Sequence, residues 1–440
     1  MKAHIKTLVT FLIFIPIFSG QFSILSAQND EVKTLINKAI EYYPKLKSQQ
    51  ATVDVSKTRI DINKSYNLPS ISGDLSYHRI DPVSKATIPT GPGTYNEFKF
   101  VPNDNYNAQI SLYYPVLDFG KTKASIEKSS QEYLMANDNL DNSRFNLAFQ
   151  VANVYYAIVY LNKSIVVKDA EIKLLDDNIK IIESKIKYGD GLDYDLLSTQ
   201  VKKTNAENQK SDLQNALQKQ LTALNTYTGQ DNSSILNSKV DFNYDANFVA
   251  SDSLLQMAYA SNYDVKLGID KTKVAASDVK INSKNNNVVL AISGGLGIRN
   301  GYLPDLAEIT PNTAIGASLS VPIFTGNRND NLYKISKINQ QASQFDLDAT
   351  KLNVQKDLQQ LLSDIQNNLD KYRSADTQIK QSQRAVELGD TRYKNGVITN
   401  LELLNSQTNL MLAQLNKLVY EYQLSVSQLE LKRLTGQRFW

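Results

Sequence analysis

Residue types that commonly carry chemistry are scarce in this chain. Its 440 residues include no cysteine, and histidine occurs only at His4 and His78. Disulfides, thiolate nucleophiles and nearly all histidine-based metal or catalytic arrangements are thereby removed. Carboxylates alone can support hydrolysis through a facing pair of acids, yet no such pair falls on a cleft-forming scaffold here. Asp176 and Asp177 are adjacent, lie off the apolar seam of a helix and read as solvated surface. The stretch GGLGIRNG (294–301) evokes a phosphate loop only superficially, because it lacks GxGxxG spacing and sits inside a strand pattern. His78 alternates with serines on the polar side of a strand and reads as a wall residue. No enzymatic activity, cofactor or metal is expected.

Long patterned segments remain, and they must be positioned. The N-terminus MKAHIKTLVTFLIFIPIFSGQFSILSAQ places Lys2 and Lys6 before an apolar run from Leu8 to Phe18, then small residues up to Ala27. This predicts a secretory signal peptide over residues 1–27, cleaved before Gln28. Its apolar run falls short of the ~20 residues of a spanning helix and contains Pro16. Lys and Arg number 48 against 45 Asp and Glu, so the chain lacks the basic field of a nucleic-acid binder, and no such partner is expected. No later stretch approaches ~18 consecutive apolar residues, so any membrane crossing must be made by strands.

Self-comparison shows one plan used twice. YYPKLK at 42–47 parallels NYDVKL at 262–267, SLYYP at 111–115 parallels SLSVP at 318–322, and LTALNTYTGQ ending at Gln230 parallels LELKRLTGQ ending at Gln437. Each half reads as short helix, strand, loop, strand, very long helix, tight turn and return helix. The first repeat covers 28–230, with strands about 69–80 and 106–115, a long helix about 118–188 and a return helix about 193–228. A linker rich in Asn, Asp and Ser follows over 231–251. In the second repeat, 252–440, the strands fall at about 288–299 and 313–322, the long helix at about 325–394 and the return helix at about 399–435. Asp118 and Thr325 are good N-cap types. From Leu147 to Ile186 apolar residues recur at alternating spacings of four and three, with Lys168 as the one polar interruption. Such a seam expects neighbouring helices aligned along its length. KYGDGLDYD (187–195) and RYKNGVITN (392–400) supply tip turns at Gly189, Gly191 and Gly396.

The strands alternate. Ile71, Gly73, Leu75 and Tyr77 share one side of the first, with Ser70, Ser72, Asp74 and Ser76 on the other. Four segments of about ten residues match the ~9–11 needed for a tilted strand to cross a bilayer. Four strands cannot close, and an open edge in lipid leaves backbone groups unpaired. Copies must therefore pool strands, two giving eight and three giving twelve; a conduit favours twelve, because an eight-stranded barrel is filled by its own side chains. Pro115 and Pro322 stand at the strand-to-helix junctions, where a missing N–H costs little and the fixed dihedral helps turn the chain. The polar loops 81–105 and 300–313 would face outside the cell.

In order and doubling, YPVLDFG and VPIFTG, the turns GDG and KNG, and the LTG closing the second half with its TG counterpart in the first resemble the TolC-type outer membrane efflux proteins. The resemblance covers nearly all of the mature chain. It implies a mainly α protein with membrane β: a homotrimer whose 12-stranded β-barrel, four strands per protomer, continues into a long α-helical barrel of duplicated helix hairpins. It implies a place in the cell outer membrane, extending into the periplasm in contact with outer membrane lipid. The implied role is exit duct of a tripartite efflux or type I secretion system, passively conducting substrate from an inner-membrane pump joined through a periplasmic adaptor protein. For the periplasmic constriction the resemblance points to Glu402 and Asn405 at the acidic ring positions, Tyr393 in the gate, and Asp195 as its partner. An arginine that the family can use as a latch falls at Ile398, and the second ring acid is the neutral Asn405. The alternative is a periplasmic coiled-coil adaptor or surface fibre without a pore, which would share the seams but not four bilayer-length strands in a duplicated plan.

Overall fold

The computed structural model describes residues 20–231, 242 and 251–440. Most of the expected signal peptide and linker, residues 1–19, 232–241 and 243–250, lies outside them. In chain order the first half contains α1 (Gly20–Tyr42), α2 (Pro44–Ser65), β1 (Ser70–Arg79), β2 (Lys85–Gly91), β3 (Thr94–Lys99), β4 (Asp104–Leu117), α3 (Lys121–Lys187) and α4 (Asp193–Thr228). The second contains α5 (Ser251–Ser261), α6 (Tyr263–Asn282), β5 (Val289–Arg299), β6 (Thr310–Ser320), α7 (Arg328–Lys394) and α8 (Asn400–Leu434). Two compact units share the chain. One comprises Ser48–Leu140 and Asp264–Thr350; the other comprises Met1–Lys47, Asp141–Tyr263 and Lys351–Trp440.

The unit with the strands holds a four-stranded antiparallel sheet in the order β1-β4-β5-β6. Directly paired residues share a face, and the register builds two unlike faces. Ile71 pairs with Leu112, Leu75 with Ala108, Ile110 with Leu296, and Leu290 with Leu319 on one side. Ser72 with Ser111, Asp74 with Gln109 and Ser293 with Tyr113 occupy the other. The apolar face is uncovered: Leu75 is 87% exposed and Ile315 91%. All four strand ends that join helices lie at the same end of the sheet, since Ser70 pairs with Tyr113, Leu290 with Leu117, and Val289 with Ser320.

The junction prolines act differently from the sequence expectation. Strand β4 does not end at Pro115; it continues to Leu117 across a register shift against β5. Strand β1 begins opposite Tyr113, so Pro115 has only β5 beside it, and a bulge is one of the few sheet positions that tolerates the missing N–H. Pro322 lies outside β6, which ends at Ser320. The change of direction itself falls later, on two consecutive left-handed residues, Phe119 (φ 52°) and Gly120 (φ 87°), repeated as Gly326 (φ 62°) and Asn327 (φ 59°). Asp118 caps the first turn, accepting from the Gly120 and Thr122 N–H groups at 2.9 and 2.6 Å. Thr325 contributes its backbone carbonyl, which accepts from Arg328 at 3.2 Å.

Loop 81–105 also departs from expectation, since most of it forms the hairpin β2–β3, turning through Gly93 at φ 78° and bridged by Lys85 and Glu97 at 2.9 Å. The TGPGT turn between alternating Ala86, Ile88 and Phe98 was its signal. The single short helix expected at the start of each half is a broken pair. The breaks fall at Tyr43 and Asn262, which shifts the correspondence of the two halves there by one residue from the YYPKLK–NYDVKL alignment.

In the other unit, α3 is buried nearly all round over 145–164 rather than along one seam. Phe145, Ala148, Val151, Ala152, Tyr155 and Ile158 are all buried, and the Tyr155 hydroxyl donates to Glu31 at 2.7 Å. Phe439 and Trp440 pack on the Phe145 ring, at centroid distances of 5.6 and 4.9 Å. Lys168, the polar interruption of the seam, is itself buried and paired with Glu171 at 2.6 Å. Asp176 and Asp177 meet Lys203 and Lys180 at 2.6 and 2.9 Å.

Each repeat closes on a TGQ whose glycine is left-handed and pressed against a helix break. A Cβ on Gly229 (φ 68°) would overlap the Tyr42 ring, and one on Gly436 (φ 66°) would overlap the Ser261 carbonyl. Asn262 reinforces the second contact, donating to the Leu434 carbonyl at 3.1 Å. Gly436→Ala is therefore expected to destabilise the protein by about 1–3 kcal/mol from backbone strain alone, with the steric overlap in addition. Thermal unfolding in detergent, compared with the wild type, checks it.

Candidate functional site

The helix tips carry the residues singled out above. Helix α3 ends in a left-handed Gly189 (φ 83°), whose N–H donates to the Ile186 carbonyl at 3.0 Å while the Asp190 N–H reaches Lys185 at 2.9 Å. Helix α7 ends the same way 207 positions on: Gly396 (φ 70°) donates to Tyr393 at 3.0 Å and Val397 to Arg392 at 2.9 Å. Both are Schellman caps, which satisfy the last carbonyls of a helix and fix the chain's exit. Gly191 has a separate reason for its identity, because a Cβ there would strike the backbone of Lys185 and Ile186.

Tyr393 belongs to an apolar cluster with Ile182 and Leu403, flanked by Ile186, Leu196 and Ile398. It is 4% exposed. Lys185 crosses its ring at 4.1 Å from the centroid and donates to its carbonyl at 2.9 Å. Burial, and after it the negative charge of Asp195, push the Tyr393 phenol above its ordinary pKa. Asp195 and Tyr393 are thus brought together through space; no hydrogen bond joins their side chains among the described residues. Ile398, at the latch position, contributes an apolar contact to the same cluster.

Glu402 is exposed and held locally. Its carboxylate accepts from the Thr399 N–H at 2.8 Å and from the Thr399 hydroxyl at 2.9 Å, while Thr399 Oγ1 accepts from the Glu402 N–H at 3.3 Å. This is a capping box. The backbone bond from Thr399, followed by its hydroxyl, holds the Glu402 carboxyl below the usual range. Its signal, T-x-x-E at 399–402, stands in the sequence. Asn405, one turn on, is exposed.

Sequence reasoning missed a buried polar network beside these residues. Asn178, Thr199 and Asn400 come from three different helices and are all buried, Asn400 to 2% exposure. Asn178 Nδ2 donates to Asn400 Oδ1 at 2.9 Å; Asn400 Nδ2 donates to Thr199 Oγ1 at 3.0 Å and to the Asp195 carbonyl at 3.4 Å; the Thr199 hydroxyl donates to that carbonyl at 2.7 Å. Its clue was positional: Asn178 stands three residues after Leu175 and four before Ile182, on the buried stripe of α3. A polar residue there selects one register of packing.

The family model described as outer membrane efflux protein matches residues 35–230 and 254–437, one span in each repeat. BepC, an outer membrane efflux protein of Brucella suis biovar 1, is 23% identical over 94% of this chain and 88% of its own length. Outer membrane protein TolC of Vibrio cholerae serotype O1 is 26% identical over 49% of this chain, and the match spans 51% of the TolC chain. Among solved structures, outer membrane protein VceC of Vibrio cholerae superposes with a TM-score of 0.78 at 17% identity, covering 95% of this chain and 98% of VceC. The CmeC outer membrane channel of Campylobacter jejuni gives 0.77 at 17% identity, covering 94% and 87%. These superpositions show a shared fold. With both repeats matched by the family model, the chain belongs to the outer membrane efflux protein family and is a protein of the outer membrane, extending into the periplasm.

Proposed function

We propose that three copies, freed of residues 1–27, close a 12-stranded barrel and continue as a helical barrel into the periplasm. The assembly serves as the exit duct of a tripartite efflux or type I secretion system. One observation carries this: a sheet with an uncovered apolar face, a polar opposite face, and two edges, on β1 and β6, without neighbours among the described residues. In hydrocarbon each unpaired backbone group costs several kcal/mol, so the β6 edge of one copy must meet the β1 edge of the next. The polar face then lines a lumen. A pore-free adaptor or fibre has no use for such a sheet. Substrate, in this arrangement, moves passively from an inner-membrane pump joined through a periplasmic adaptor. Detergent-purified protein is expected to run as a trimer and to form discrete pores in planar bilayers; a water-soluble monomer without conductance overturns the proposal.

The helix tips form the periplasmic constriction, with Glu402 carboxylates as its charge and Tyr393, Asp195 and the Asn178–Asn400–Thr199 network fixing the helices around it. Glu402 has two separable duties. Glu402→Gln keeps an acceptor for Thr399 and removes the charge, whereas Glu402→Ala removes both. Both variants are expected to lose cation preference in single-channel recordings, and only the alanine variant to lose stability. Because the folded-state pKa is depressed, the capping stabilisation is present above the ordinary glutamate value of about 4.3 and is lost only as pH falls below it through the folded pKa. Cation preference in the wild type should accordingly persist through pH about 4.3 and decline at lower pH.

Asn400→Ala leaves Asn178 and Thr199 buried without their partner. The expected cost is about 1–3 kcal/mol, and freeing three helices at the constriction should raise single-channel conductance. Unchanged conductance in a stably folded Asn400→Ala trimer would remove the network from the gate.

A further inference from the structure

The overall charge balance conceals a segregation. Four helix ends meet the sheet at one end, and the eleven-residue windows nearest it, 55–65, 121–131, 274–284 and 328–338, contain eleven Lys and Arg against four Asp and Glu. Three of the acids are already engaged by cations of the same collar: Asp61 by Lys64 at 3.4 Å, Asp278 by Lys128 at 2.7 Å, and Glu127 by Lys280. The fourth, Asp330, accepts from Asn286 at 3.3 Å. Eight cations of the collar are left without an ion pair among the described residues. Lys57, Arg59, Lys121, Lys123, Arg328 and Lys334 are exposed examples.

A second feature adjoins the collar. Between the strands and the helices runs a rim of uncovered apolar and aromatic side chains, with Ile323 93% and Phe324 82% exposed, joined by Phe119, Tyr66 and Leu68. Along three of the four chain segments the order is apolar wall, apolar or aromatic rim, cations; between α6 and β5 the chain passes through Asn285, Asn286 and Asn287 instead. Between α6 and α7 the collar opens into a groove of about 640 Å³ where Lys273, Lys334 and Lys337 stand beside Ala276 and Ile338. Lysine stems can lie along apolar surface while their ammonium groups reach outward, and aromatic rings favour the headgroup boundary.

We propose that this collar binds the anionic headgroups of phospholipids in the periplasmic leaflet of the outer membrane, seating the barrel at a fixed depth. The proposal rests on reading the four-stranded sheet as membrane wall. Its chemistry is that of a polybasic segment beside an anionic leaflet, where attraction is strong near the surface and screened within a Debye length, about 10 Å at 0.1 M salt. A collar facing the lumen instead would act on permeant ions.

The test uses the full-length trimer reconstituted in phosphatidylcholine bilayers containing spin-labelled phosphatidylglycerol or spin-labelled phosphatidylcholine, with relative association read by electron spin resonance. The wild type should prefer phosphatidylglycerol by about threefold or more, falling toward parity at 1 M salt, where the Debye length is about 3 Å. Removing four charges (K121Q, K123Q, K334Q, K337Q together) should abolish the preference, and the corresponding four Lys→Arg changes should keep it. No preference in the wild type, or one unchanged in the glutamine variant, overturns the proposal. So does altered ion selectivity with lipid preference intact, which assigns the collar to the lumen. Planar-bilayer conductance separates the premises: pores without lipid preference refute only the collar, whereas absent pores refute the wall.

Discussion

The outer edges of β1 and β6 govern what the rest of the chain must do. A strand of ten or eleven residues with no neighbour on one side carries a row of unpaired N–H and C=O groups, tolerable in water and prohibitive in hydrocarbon. In the barrel proposed above, a sheet of this kind with an apolar face uncovered would be half of an interface on two sides at once. Antiparallel pairing then brings all four helix-linked strand ends to a single end of the sheet, so the helices can leave only in one direction. The face polarity, the placement of loops and the crowding of helix ends at one rim all follow from that register.

Duplication lets one solution serve twice, and the residues that change between copies show which property was needed. At the junctions the requirement is two consecutive left-handed residues, met by Phe119–Gly120 in one copy and Gly326–Asn327 in the other. At the tips it is a Schellman cap, identical in its hydrogen bonds at Gly189 and Gly396. At the closing turns it is a glycine with no room for a Cβ, filled by a tyrosine ring against Gly229 and by backbone against Gly436. Sequence identity between the halves is low where backbone geometry is conserved, because backbone hydrogen bonds do not ask for particular side chains.

Periodic features were legible in the sequence and singular ones were not. The four strands, the long helices and the tip turns stand within a few residues of their sequence reading, since alternation, seam spacing and glycine each leave a repeated mark. The β2–β3 hairpin escaped because its strands are short and β2 contains Pro89, so that polarity outweighed alternation. The role given to Pro115 and Pro322 was wrong in detail for a related reason: proline is conspicuous, whereas a left-handed phenylalanine is invisible without coordinates. The polar network was missed because an asparagine on an amphipathic helix is usually solvent-facing, and only its three-and-four spacing from Leu175 and Ile182 says otherwise.

The two tips share their caps and differ just beyond them, and that difference decides where charge can act. Shifting by 207 residues maps Leu192 onto Thr399, Asp193 onto Asn400, and Asp195 onto Glu402. Helix α8 starts with a threonine that returns the hydrogen bonds of Glu402, so this carboxylate is fixed against its own helix and its charge is held in place. Helix α4 starts with Leu192, which offers no side-chain bond, and Asp195 is left to act on the buried Tyr393 phenol. The first-turn position is favourable for both anions, since the unsatisfied N–H groups there carry partial positive charge. Capping chemistry alone thus separates two acids at equivalent positions, one into a stationary surface charge and the other into an electrostatic neighbour of the buried cluster.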